Sequence, residues 1–239
     1  MPRFFIPSIE GSTAEITGKD AFHIGRSLRM RNGDPLTVCC DGIDYSCEIV
    51  SISDEAVRLD VLSSCVCKAE PKVKVTLFQA LPKLDKLETI VQKSVELGVY
   101  RIVPMLTRRC VSRPDFKEFE KKRERLKKIS LEAAKQSGRG IIPEVASLVG
   151  FDEAIAEAAK ADCPLMLYEN GGIRFSEAGV ENAGTVSLLI GSEGGFDESE
   201  AIRADSAGIS RIWLGERILH CETAPAAALS IVMYISGNL

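Results

Sequence analysis

Two stretches in the last third of the chain carry residue types that could hold a ligand: IGSEGGFDESE at 190–200 and LGERILHCETA at 214–224. In the first, Gly191, Gly194 and Gly195 surround one carboxylate, Glu193, directly after an apolar run and directly before a helix signal. Glycine lets a backbone approach a ligand closely or take positive φ, so such a loop can offer main-chain groups to a bound molecule. An ordinary strand-to-helix turn uses glycine in the same way, and for Gly194 and Gly195 both readings stand. Asp197 with Glu200 three residues on resembles a capping box and most simply serves the helix start. Two adjacent loops of this kind, each after a strand, can wall a pocket for a flat, partly apolar ligand.

Several familiar ligand loops are excluded. A nucleoside triphosphate cradle needs Lys and then Ser or Thr after its last glycine, where this chain has Phe196 and Asp197. A dinucleotide fingerprint follows the first strand of its domain, whereas this loop comes late. The chain also lacks the G-x-S-x-G turn of an esterase-like hydrolase.

The elements that must position these loops follow from the residue pattern. Residues 1–70 hold short β-rich runs, PLTVCC, YSCEIVSI and AVRLDVL, separated by turn signals that include Asp41-Gly42. Their spacing predicts a small antiparallel barrel. From residue 73 the rhythm changes to strands alternating with helices, which predicts an α/β domain with a mainly parallel sheet over 73–239. In KLDKLETIVQKSVELG the stripe Leu84, Leu87, Ile90, Val91 and Val95 predicts one helix face, with Gly98 as its stop. A basic helix over about 115–137 ends at Gly138, and APAAALSIVMYI closes the chain as an apolar helix.

Net charge is −4, but its distribution is uneven. Residues 101–139 carry 13 Lys and Arg against 5 Asp and Glu, while residues 140–239 carry 5 against 15. A block as basic as the first suits a phosphate-tracking surface, and a solvated mixed-charge helix face explains it as well. Eight cysteines with no C-x-x-C pair, and only His23 and His220 as partners, fit buried thiols in a reducing compartment rather than a metal site. No run is long enough to span a bilayer and the start lacks a leader's apolar core, so the expectation is a cytoplasmic protein without metal or membrane.

The motifs taken in order resemble one family. IGSEGGF is similar to the I-G-P-E-G-G signature, and LGERILHCETA to the L-G-x-R-I-L-R-T-E-T-A signature, of the ribosomal small subunit methyltransferase E family. HIGRSLRMRNGD at 23–34, IVQKSVELGV at 90–99 and EAAKQSGRGIIPEV at 132–145 match further motifs of that family in the same order. The resemblance implies an N-terminal PUA-like β-barrel and a C-terminal SPOUT α/β domain with a trefoil knot. It further implies a homodimer, S-adenosylmethionine as cofactor, and methylation at N3 of a 16S rRNA uridine in the small subunit's decoding region, uridine 1498 in standard numbering.

By the same resemblance, the cofactor pocket is formed by Leu167, Tyr168 and Glu169; by Ile190, Gly191, Glu193 and Gly195; and by Leu214, Gly215, Ile218, Leu219, Thr223 and Ala224. Uridine N3 carries a proton and is a poor nucleophile until it leaves, so cations near the base would stabilise its anion. Arg26, Arg29 and Glu222 are the catalytic candidates, and no general base is assigned. Arg3, His23, Arg26, Arg29 and Arg31, with Arg108, Arg109, Arg113 and Arg139, are the expected rRNA contacts. Arg139 beside Gly138 also suits a helix C-terminus.

The chain departs from the family pattern at three positions: Ser192 replaces the signature proline, and His220-Cys221 replaces Arg-Thr. The second change removes a fixed cation, since histidine is charged only when protonated. A binding-only RNA protein and a methyltransferase with another RNA target remain the alternatives.

Overall fold

The computed structural model describes residues 2–53 and 55–239. Two compact units emerge: residues up to Glu70 together with Ala134–Ile142, and Pro71–Ala133 together with Pro143–Leu239.

The first unit is one curled sheet of β1 (Arg3–Phe5), β2 (Thr13–Thr17), β3 (Pro35–Cys40), β4 (Ile43–Ile52) and β5 (Ala56–Val66). The order is β1-β3-β4-β5-β2, antiparallel throughout except for β1 on β3. Asp41 and Gly42 connect β3 to β4 with φ of 48° and 78°. A type I′ hairpin loop, whose twist matches its strands, needs two positive φ values, which suits the pair Asp-Gly. Alternation does the rest: in β2 only Ala14 and Ile16 are buried, and they join Phe4, Ile24, Leu36, Val38, Ile49, Val57 and Leu59 in the core. Between β2 and β3, helix α1 (Gly18–Phe22) widens into a π turn over His23–Ser27.

The second unit contains β6 (Lys74–Ala80), α2 (Lys86–Glu96), β7 (Arg101–Leu106), most of α3 (Phe116–Ser137), β8 (Glu144–Val145), β9 (Val149–Gly150) and α4 (Phe151–Ala158). It continues with β10 (Cys163–Leu167), β11 (Thr185–Ile190), α5 (Glu198–Ser206), β12 (Ser210–Ile212) and α6 (Thr223–Ile235). All pairings are parallel, in the order β12-β10-β11-β6-β7-β8 with β9 also on β7. Every residue of β11 from Val186 to Ile190 is buried. Consecutive strand residues point to opposite faces, so the sheet is covered on both sides, and its strands are accordingly apolar without alternation.

One residue of the predicted α2 stripe lies elsewhere. Leu87, Ile90, Val91 and Val95 are buried on α2, but Leu84 precedes the helix, has φ of 57° and is 82% exposed. Asp85 takes the N-cap position, so the helix begins at Lys86, two residues past Leu84. All eight cysteines are free thiols, with Cys65 exposed, Cys40 half-buried and the others buried. Among the described residues no helix is long and apolar enough to cross a membrane, and no cluster of His, Cys, Asp or Glu is arranged to hold a metal ion.

Candidate active site

In the second unit the carboxyl ends of β10, β11 and β12 are neighbours, and the segments that follow them enclose a cavity of about 640 Å3. Ligands of open α/β sheets bind at this end of the strands. The cavity is lined by Leu167, Tyr168 and Glu169 after β10, by Ile190 to Gly195 after β11, and by Ile212 to Cys221 with Ala224 after β12. Of the expected cofactor residues, Thr223 alone is not on the wall. It is the first residue of α6, with its amide donating to the His220 carbonyl at 2.9 Å.

The glycines of the β11 loop are required by geometry. A Cβ on Gly191 would stand 2.9 Å from the Cα of Gly195, and one on Gly195 would stand 2.5 Å from Glu169 Oε1. Gly195 also has φ of 65° and its amide donates to the Ser192 carbonyl at 2.9 Å. It is therefore both the turn residue and part of the wall. Ser192, where the family pattern has proline, is buried and donates its hydroxyl to the Arg109 carbonyl at 3.3 Å. Asp197 and Glu200 do close a capping box on α5. Buried Glu200 accepts the amides of Asp197 at 3.0 Å and Arg108 at 2.8 Å, which ties the segment after β7 to the segment after β11.

An ion-pair cluster forms another part of the wall. Lys86 Nζ lies 3.1 Å from Glu222 Oε2, 3.5 Å from Glu193 Oε1 and 3.9 Å from Cys221 Sγ. Glu193 Oε1 also accepts the Lys83 amide at 3.0 Å. Burial opposes the charged form of Glu193, but backbone amides and Lys86 outweigh it and hold the carboxyl below its usual range. Glu222 is held low in the same way, burial being outweighed by Cys221, its own amide and Lys86. The hydrogen bond to Glu222 raises Lys86, and burial first, then Glu222, pushes the Cys221 thiol up to about 12. At neutral pH the cluster is one ammonium between two carboxylates beside a protonated thiol.

Lys86 and Trp213 line the cavity although the sequence reading named neither. Lys86 did carry a signal. It opens α2, where the helix dipole disfavours a cation, so its placement is costly unless carboxylates stand nearby. His220 lines the cavity and is exposed, in the place of the family's arginine.

The expected RNA-contact residues separate into two groups. His23, Arg26, Arg29 and Arg31 are exposed in the first unit, Arg29 with φ of 53°. Arg26 and Arg29, expected also in catalysis, are not among the cavity-lining residues. Arg3 and Arg139 are committed within the first unit instead. Arg3 Nη1 donates to Asp44 Oδ1 and to the Arg139 carbonyl, both at 2.8 Å, and Arg139 is 2% exposed against Glu70. Burial and pairing, rather than solvent, receive those two charges. In the second unit Arg109 donates to the Gly194 carbonyl at 2.9 Å and Arg113 to the Thr107 carbonyl at 3.0 Å. Arg108 reaches Asp197 at 3.2 Å and Ser199 at 2.9 Å, yet its side chain stays 66% exposed.

The chain is similar to known proteins over nearly its whole length. Residues 69–233 match the family described as RNA methyltransferase domain, and residues 16–62 the family described as RNA methyltransferase PUA domain. The chain is 36% identical to ribosomal RNA small subunit methyltransferase E of Bacillus subtilis, over 98% of this chain and 96% of that protein. It is similar to the crystal structure of a ribosomal RNA small subunit methyltransferase E from Neisseria gonorrhoeae bound to S-adenosylmethionine. There the TM-score is 0.88 and identity 28%, covering 98% of each chain. A methyltransferase structure from Legionella pneumophila with bound S-adenosylmethionine matches with a TM-score of 0.86 and 31% identity, over 97% of this chain and 96% of that one.

Proposed function

This chain belongs to the ribosomal RNA small subunit methyltransferase E family, and we propose that it methylates N3 of a uridine in 16S rRNA, uridine 1498 of the decoding region, with S-adenosylmethionine as donor. The observation that carries the reading is the glycine-lined cavity at the ends of β10, β11 and β12.

The residues present fit that cofactor. Leu167, Ile190, Leu214 and Leu219 supply apolar wall, and the close approach of Gly191 to Gly195, which a Cβ on Gly191 would force apart, shapes the loop beside it. Glu169 and Glu193 put negative charge on the wall, which suits a ligand carrying a sulfonium and an ammonium. When bound, S-adenosylmethionine supplies an electrophilic methyl group. The walls have to hold the acceptor base in line with it, and positioning of that kind accounts for much of the rate in displacement chemistry. We assign rRNA phosphate contacts to the exposed His23, Arg26, Arg29 and Arg31, whose charge favours a polyanion independently of its sequence.

The same reading makes the protein a cytoplasmic homodimer with a trefoil-knotted second domain. Tyr234, a large side chain left 74% exposed on α6, supports the paired state, which sedimentation at micromolar concentration would read directly.

The test is methyl transfer to small ribosomal subunits lacking the modification, with the product nucleotide mapped by mass spectrometry. N3-methyluridine at the decoding-region site is the expected outcome. Methylation of a different nucleotide would replace the substrate. No methylation by folded protein would leave a binding-only role. Cofactor binding has its own readout, because the chain's single tryptophan, Trp213, lines the cavity and its fluorescence should respond to S-adenosylmethionine.

A further inference from the structure

We propose that the Lys86 ammonium, held at the cavity wall by Glu193 and Glu222, donates a hydrogen bond to a carbonyl oxygen of the acceptor uridine and stabilises the base after N3 loses its proton. The inference rests on the reading of the cavity as a uridine-N3 methylation site.

Three observations lead to it. Lys86 is the cavity-lining residue that comes from outside the segments following β10, β11 and β12, so a separate element brings a cation to that wall. It stands at the first position of α2, where the dipole opposes a cation, so its charge is offset by the carboxylates of Glu193 and Glu222 at the cavity wall and not by the helix. The turn that delivers it is strained: Leu84 holds φ of 57° while 82% exposed, and the Lys83 amide is pinned on Glu193. A bulky residue in the left-handed region persists only where its surroundings over-determine it, and such positions gather at functional sites.

The chemistry required matches what the cluster offers. The imide N3–H of uridine sits between two carbonyl groups. When the N3–H bond breaks the proton goes to water, the electron pair stays on N3, and its charge spreads onto both flanking oxygens. That pair is the nucleophile. A fixed ammonium against either oxygen lowers the cost of forming it. Glu193 and Glu222 both hold protons less tightly than an ordinary glutamate, which makes each a weaker general base and leaves them as charge partners of Lys86. Lys86 remains a donor at neutral and mildly alkaline pH. Of its contacts the one to Glu222, at 3.1 Å, is the shortest; those to Glu193 at 3.5 Å and to the Cys221 sulfur at 3.9 Å are longer, so a carbonyl oxygen can compete with them.

The test compares wild type, Lys86→Met and Lys86→Arg on small subunits lacking the methyl group, across neutral to alkaline pH. S-adenosylmethionine affinity is read in parallel from Trp213 fluorescence. Lys86→Met is expected to keep its cofactor Kd within about threefold and to lose about a hundredfold in kcat at neutral pH, the size of effect seen when one donor to a developing anion is removed. The deficit should shrink as pH rises and the base ionises unaided. Lys86→Arg should recover most of the rate. If Lys86→Met fails to bind cofactor, Lys86→Gln replaces it in the same comparison. A neutral variant at wild-type rate, or one with the same loss at every pH, overturns the role of Lys86 while leaving the function intact. Wild type that forms no N3-methyluridine overturns the function and this inference with it.

Discussion

The guanidinium of Arg139 closes on the carboxylate of Glu70 through two hydrogen bonds of 2.8 Å, one from Nε and one from Nη2. The same carboxylate accepts the amides of Gly140 at 2.6 Å and Ile141 at 3.2 Å. Breaking a buried pair by removing one partner leaves the other charge desolvated and uncompensated, at a cost of about 3–5 kcal/mol. Arg139→Gln is therefore expected to lower the urea midpoint of unfolding strongly, while the fraction that stays folded binds RNA as wild type does. A variant of unchanged stability with weakened RNA binding would return Arg139 to the RNA surface.

Gly191 faces backbone, not a flexible side chain: a Cβ there would stand 2.9 Å from both the Cα and the carbonyl carbon of Gly195. The loop must open to admit it, and overpacking of this kind costs about 1–3 kcal/mol. Because that strain falls on the cavity wall, Gly191→Ala should weaken S-adenosylmethionine binding about tenfold or more, with little change in secondary structure. Titration of Trp213 fluorescence reads the loss, and an unchanged Kd would show that the ligand does not use this wall.

Asp162 Oδ2 accepts the Gly184 amide at 3.1 Å and the Thr185 amide and hydroxyl at 2.9 Å each, which joins the start of β10 to the start of β11. The Thr185 hydroxyl, then its amide, with a smaller part from Gly184, holds the carboxyl below its ordinary 3.8 despite some desolvation. A folded-state value below the unfolded one contributes stability above the unfolded value and loses it as pH falls through the folded value. Asp162→Asn should therefore be less stable than wild type at neutral pH, with the gap closing as acid takes the pH below 3.8. Urea midpoints measured against pH would show this, and a gap constant in pH would assign the effect to packing.

Much of the fold was legible because the signals were local. Asp41-Gly42 announces a hairpin through the φ values it tolerates, and RIVPML at 101–106 reads as a strand because a sheet covered on both faces needs no alternation. The glycine loop could be placed after β11 for the same reason. Contacts distant in sequence left no such trace. Arg139 and Glu70 are 69 residues apart, and nothing near Arg139 tells a buried partner from an RNA phosphate. Residues 134–142 group with the first unit although they follow the opening of the second; a reading that moves linearly along the chain has no term for that return. Leu84 has the right spacing for the α2 stripe and lost its place to the N-cap at Asp85. Lys86, a lysine among lysines, looks like surface until the two carboxylates from distant loops are seen beside it.

Arg29 and Arg31 offer the clearest test of how the first unit holds RNA. Both are exposed, and Arg29 keeps a left-handed backbone at φ of 53°. Each phosphate neutralised by a protein cation releases condensed counterions, so binding weakens with salt in proportion to the number of such contacts. Arg29→Ala and Arg31→Ala should each weaken binding to 16S rRNA fragments and reduce the slope of log affinity against log salt by about 1. Arg3→Ala provides the contrast. Its guanidinium is spent on Asp44 and the Arg139 carbonyl, so this variant should lose stability and keep the wild-type slope. If all three variants kept the slope, RNA would have to be held by other cations, with the exposed Arg108 of the second unit the next to substitute.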